Sequence, residues 1–92
     1  MRFACDEAKR RANLNRHGFD FLRVEEVFAN KASFTLLDDR FNYGEIRFLT
    51  LGVLDGRVVA IAHTETDEVT RVISVRKASK HEEEIYYQEI TD

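Results

Sequence analysis

The chain of 92 residues has no proline, no tryptophan, one cysteine and four glycines. With so few breakers, no stretch reads as a linker, an internal repeat or a low-complexity segment. The lone cysteine, Cys5, excludes an internal disulfide, and no cysteine–histidine cluster has the spacing of a structural zinc site. It reads as a small packing residue rather than a nucleophile. No hydrophobic run approaches the ~20 apolar residues that span a bilayer, and the opening MRFACDEAKRR lacks the apolar core of a secretion signal. These absences point to a cytoplasmic chain folded as one domain over residues 1–92, with a modest core and no membrane contact. Glycine-rich phosphate loops, a nucleophile elbow and paired histidines at metal-ligand spacing are missing too. No cofactor and no metal is expected.

An overall positive charge is also lacking. The formal net charge is −3, which argues against a protein that holds nucleic acid by bulk charge alone. The basic residues are nevertheless clustered, with Lys9, Arg10, Arg11 and Arg16 early and Arg71, Arg76, Lys77 and Lys80 late. Much of the acid sits in Glu82-Glu83-Glu84. A local basic surface on an acidic whole is the expectation.

What the sequence does contain is strand signal. EIRFLTLGVL, RVVAIAHTE and EVTRVISVRKA (45–54, 57–65 and 68–78) read as three strands of a meander. Asp55-Gly56 between the first two is a hairpin signal, because both turn positions need positive φ. SFTLLDD, after Asn30, adds a fourth strand ahead of the loop DDRFNYGE. Before the strands, Asp6 caps a helix EAKRRANLNRH that ends at Gly18, and Asp20 caps a second, FLRVEEVFAN, with one apolar stripe. Ser79 with Glu82 forms a capping box opening a last helix, KHEEEIYYQEI. Its Ile85 docks on the domain and Tyr86 or Tyr87 projects beside the sheet. Arg2-Phe3-Ala4 could add a short strand, though three residues cannot establish one. The fold class expected is α+β, with two N-terminal helices, an antiparallel four-strand meander and a C-terminal helix.

With two-residue turns throughout, one sheet face collects Leu49, Leu51, Val53, Val58, Ala60, Ala62, Val69, Ile73 and Val75, with Arg47 and Arg71 near one end. That face should lie under helices. The other collects Ile46, Phe48, Thr50, Val59, Ile61, His63, Thr70, Val72, Ser74 and Arg76, and is expected to be half open.

Five segments together carry a resemblance. Cys5-Asp6-Glu7-Ala8-Lys9, NLNRHGFDF (13–21), VEEVF (24–28), GEIRFLTLG (44–52) and RVISVRKAS (71–79) occur in the order seen in BrnT-like toxins, which the chain resembles over nearly its whole length. The resemblance implies a RelE-like fold and a small ribonuclease toxin of a type II toxin–antitoxin pair. It implies a cognate antitoxin, usually with a ribbon-helix-helix DNA-binding part, so that DNA is met only through the complex. Cys5 where the family commonly has tryptophan, and an acidic last helix, keep open a catalytically weak or inactive homologue. A ParE-like inhibitor that acts by binding is the other alternative.

Metal-free RNA cleavage needs a base for the 2′-hydroxyl, a cation for the charge building on phosphate, and an acid for the departing 5′-oxygen. His63, the one histidine on the expected open face, suits proton transfer near neutrality. Arg76 on the same face suits a two-bond grip on phosphate. Tyr86 is a second proton donor or a stacking surface for a base. Arg47 and Arg71 match family positions and, with Lys77 and Lys80, are the expected RNA contacts; structural ion pairs are an equal alternative for the two arginines. His17, at a helix end, reads as structural. His81, in an exposed first helical turn, has no assigned role.

Overall fold

The structure, a computed structural model, describes residues 2–91. The local signals at the caps hold. Helix α1 (Glu7–His17) opens on Asp6, whose side chain accepts from the Lys9 N–H at 3.0 Å, and closes on Gly18 with φ of 79°. Asp20 accepts from the Leu22 N–H, but the turn it starts is a 3-10 segment, Phe21–Arg23, before a short helix α2 (Val24–Ala29). The strands follow as β2 (Phe34–Asp38), β3 (Arg47–Leu54), β4 (Arg57–Glu65) and β5 (Val69–Lys77), and α3 (Lys80–Thr91) ends the chain. Asp55 and Gly56 both take positive φ, as the hairpin requires. The Ser79–Glu82 box forms reciprocally, Ser79 N–H to Glu82 Oε1 at 2.8 Å and Glu82 N–H to Ser79 Oγ at 3.1 Å.

The expected fold is corrected in one respect that matters. With Arg2–Ala4 as β1, the sheet has five strands in the order β1-β5-β4-β3-β2, not a four-strand antiparallel meander. The additional strand β1 (Arg2–Ala4) pairs parallel with β5 through Arg2–Val69, Phe3–Thr70 and Ala4–Arg71, which makes the sheet mixed. Three residues are too few to show an alternation. Their pairing is set by where the helices return the chain, which no local pattern records. Both sheet edges are short, since β1 covers β5 over only three positions and β2 spans five residues.

A second correction concerns the faces. Ala62 pairs with Ser74 but His63 pairs with Val72, so β5 carries a bulge at Ile73. Side-chain direction alternates along a strand, so one additional residue turns everything beyond it to the opposite face. Val72 and Val75 therefore both join Phe19, Phe21, Val24, Val27, Val59 and Ile61 under the segment that runs from Phe19 through α2. Ser74 and Arg76 move to the other face, beside Ala62 and Ala60. The face expected to be half open is the one the 3-10 segment and α2 cover, while α1 lies along the β5 edge. Gly52 marks how closely α2 sits, because a Cβ there would collide with Val27 Cγ1. On the opposite face, α3 packs Tyr86 and Ile85 over Leu49, Leu51, Val58 and Ala60. It stops short of Arg47, Thr64 and Arg71, which stay at least partly exposed.

Candidate functional site

The open part of the α3 face is bordered by a continuous run of arginines and carboxylates. Arg76, turned there by the bulge, donates from Nη1 and Nη2 to both oxygens of Glu82 at 2.7 and 2.9 Å. Glu82 is largely buried, and the Arg76 guanidinium, with the Ser79 N–H, holds its carboxyl down to about 2. Arg40 lies within electrostatic reach of Glu82 and donates from Nε and Nη2 to Asp38 at 2.8 and 3.0 Å. Asp38 is buried at the end of β2, and its pKa is lowered chiefly by Arg40. Tyr43 donates its hydroxyl to Asp38 at 3.2 Å and carries the Arg47 guanidinium over its ring at 4.1 Å. Glu45 then spans Arg47 (3.1 Å) and Arg71 (2.9 and 3.0 Å). Between α3 and the β2–β3 floor lies a cavity of about 170 Å³, lined by Leu36, Leu37, Asp38, Arg40, Leu49, His81, Glu82 and Ile85.

The expected site residues divide unevenly. Arg47, Arg71 and Arg76 belong to this run. Lys77, the last residue of β5, and Lys80, the first of α3, are exposed; Lys77 opposes Val59 and so belongs to the other face from Arg76. Tyr86 is 2% exposed, with its ring stacked on Phe34 at 5.9 Å, so it belongs to the α3 core rather than the open floor. His63 is on the other face. The expectation that His63 and Arg76 share one open face is thereby overturned, and the bulge is the reason.

His63 is 1% exposed and caught between Phe28 and Phe48, with ring centroids at 5.1 and 6.0 Å. Its Nδ1 lies 3.2 Å from Glu65 and its Nε2 2.7 Å from Thr50 Oγ1, which is 2.7 Å from Thr35 Oγ1. A carboxylate only accepts, so the Nδ1 proton faces Glu65, Nε2 accepts from Thr50 and Thr50 accepts from Thr35. Thr70 closes the chain on Glu65 at 3.0 Å. This polar thread sews four strands together. Burial pushes the imidazole pKa below its ordinary 6.5, more than Glu65 restores.

A group whose pKa is lower folded than unfolded contributes stability above the unfolded value and loses it as pH falls. The His63 contribution is thus complete above about 6.5 and lost below it; that of Glu82 is lost between 4.5 and about 2. Denaturant midpoints measured against pH should be flat from 7 to 8, then fall in two stages as acid is added. A profile flat down to pH 5 would show that His63 is charged in the fold.

Sequence reasoning missed Arg40, Asp38 and His81. The first two belong to DDRFNYGE, whose composition says loop but not that the loop folds back over β3. His81 needed the start and direction of α3, which the capping box supplies, and the position of β2 beneath it, which nothing local supplies.

A family model described as "Ribonuclease toxin, BrnT, of type II toxin-antitoxin system" matches residues 5–82. The chain belongs to the BrnT family. No curated protein matches it. BrnT membership makes the chain a ribonuclease toxin by class and gives it an antitoxin as cognate partner. The BrnT match takes in α1, α2, strands β2 to β5 and the Arg76–Glu82 pair, and leaves out most of α3. Among the described residues no helix is long and apolar enough to cross a membrane.

Proposed function

We propose that this toxin cleaves RNA without a metal ion on the α3 face of its sheet, working in the cytoplasm as a single domain until its antitoxin covers that face. The observation that carries this reading is the run of Arg40, Arg47, Arg71 and Arg76 around one open half of the sheet floor. Guanidinium groups fit phosphate oxygens and stay charged at any physiological pH. Anchored on carboxylates, they are held in place before RNA arrives and need no reorganisation when charge builds on the phosphorus. Lys80 extends the phosphate path at the start of α3, and Tyr87, half exposed on α3, offers a ring to an unstacked base. An antitoxin of ribbon-helix-helix type would supply the acidic or extended segment that fills the face, and with it the only contact to DNA.

One observation favours a binding protein without catalysis. Each of the four arginines is already held by a carboxylate, which offsets much of the positive charge RNA would meet. Purified toxin mixed with messenger RNA in excess chelator separates the two readings. Cleavage leaving 2′,3′-cyclic phosphate ends is the expected result, and Arg47→Glu with Arg71→Glu should lower RNA affinity by roughly tenfold or more through lost phosphate contacts. RNA left intact, with or without added divalent ions, would assign the protein to the binding class.

A further inference from the structure

We propose that His81 is the proton-transferring residue of the cleavage reaction; the inference rests on the ribonuclease reading above. His81 lines the cavity between α3 and the β2–β3 floor together with Asp38, Arg40, Leu49, Glu82 and Ile85. The sequence has three histidines, and the other two lie elsewhere. His63 is sealed under α2 on the opposite face, and His17 ends α1 at the β5 edge, outside the residues that line the cavity. Ile85, one helical turn on from His81, lines the same cavity, which puts both on the sheet-facing side of α3. The turn that carries His81 is fixed from both directions, by the Ser79–Glu82 box and by the two bonds from Arg76 to Glu82.

Arg40 supplies the other half of the site. Asp38 takes its Nε and Nη2, which leaves the Nη1 edge without a hydrogen-bond partner among the described residues. A phosphodiester seated on that edge lies in the cavity that His81 lines. Imidazole is the side chain that takes and gives a proton near neutrality. His81 accepts the 2′-hydroxyl proton as the 2′-oxygen attacks phosphorus; the O2′–P bond forms and the P–O5′ bond breaks. The leaving 5′-oxygen takes a proton from water, and His81 returns its own to solvent. The products are a 2′,3′-cyclic phosphate and a 5′-hydroxyl, with no change of oxidation state. The charged groups around the ring are Asp38 and Arg40 from β2 and its loop, and Glu82 from α3 with Arg76 behind it.

The test uses the purified full chain on ribosome-bound and on protein-free messenger RNA, comparing wild type with His81→Ala across pH 5 to 9. RNA binding, melting temperature and rescue by free imidazole are measured alongside. Expected is a loss of roughly 10²-fold or more in cleavage rate, with binding and melting unchanged, the acid limb of the pH profile flattened, and part of the rate restored by imidazole. Cleavage within roughly threefold of wild type, far short of a proton-transfer effect, would overturn the role of His81 and leave the ribonuclease reading standing. Loss of rate together with lost binding or stability, and no rescue, would also overturn it in favour of a structural role. No cleavage by wild type on either RNA would instead overturn the ribonuclease reading beneath it.

Discussion

Replacing Asn13 with alanine should destabilise the fold by about 3 kcal/mol, since each buried backbone group left without a partner costs about 1–3 kcal/mol. The reason lies at the edge of β5. Strand β1 pairs only with Val69–Arg71, so further along, at Val75, the strand has no neighbour on that side. Asn13 replaces one. Its Nδ2 donates to the Val75 carbonyl at 2.8 Å, and its Oδ1 accepts from the Val75 N–H at 3.1 Å, as a peptide group of a paired strand would. The same Nδ2 reaches the Phe19 carbonyl at 3.0 Å, tying the chain after α1 to the sheet. For a domain of this size, about 3 kcal/mol corresponds to a fall in melting temperature of roughly 12–24 °C. Circular dichroism melts of wild type and N13A measure it. A fall under about 4 °C would mean that water enters and satisfies Val75.

His63→Ala should cost at least as much, about 3 kcal/mol or more, by analogy with truncating a buried aromatic ring. It empties the space between Phe28 and Phe48 and removes the link between Thr50 and Glu65. A screen for loss of toxicity alone would therefore score His63→Ala as inactive for the wrong reason. His63→Gln is the informative variant, because its amide reaches Thr50 while lacking an imidazole. Residual folded H63Q should cleave RNA close to the wild-type rate, well short of the roughly 10²-fold loss expected of a proton-transfer residue. A melting temperature equal to wild type with cleavage abolished would return His63 to the chemistry and displace the structural account.

Arg76 calls for the same care. Removing it leaves Glu82 in a largely buried position without its cation, and breaking one half of such a pair costs more than the pair contributes. An inactive Arg76→Ala is evidence for phosphate binding only when its melting curve and its RNA affinity are known.

Much of this molecule is written in short-range pattern. The caps at Asp6, Gly18, Asp20 and Ser79, the Asp55-Gly56 hairpin and the extents of four strands all follow from residues within a few positions of one another. The same is true of the run of five segments that relates the chain to BrnT toxins, and hence of its class of activity. Interactions of that range depend on backbone sterics and nearby hydrogen bonds, which the order of side chains specifies directly.

Two things were decided only when the elements met. One is the parallel strand Arg2–Ala4, whose partner lies more than sixty positions away in the sequence. The other is the bulge at Ile73, a single unpaired residue that sends His63 to one face and Arg76 to the other. No local composition announces either, because a strand's register is fixed by which of its faces the helices bury, and that packing exists only in the assembled core.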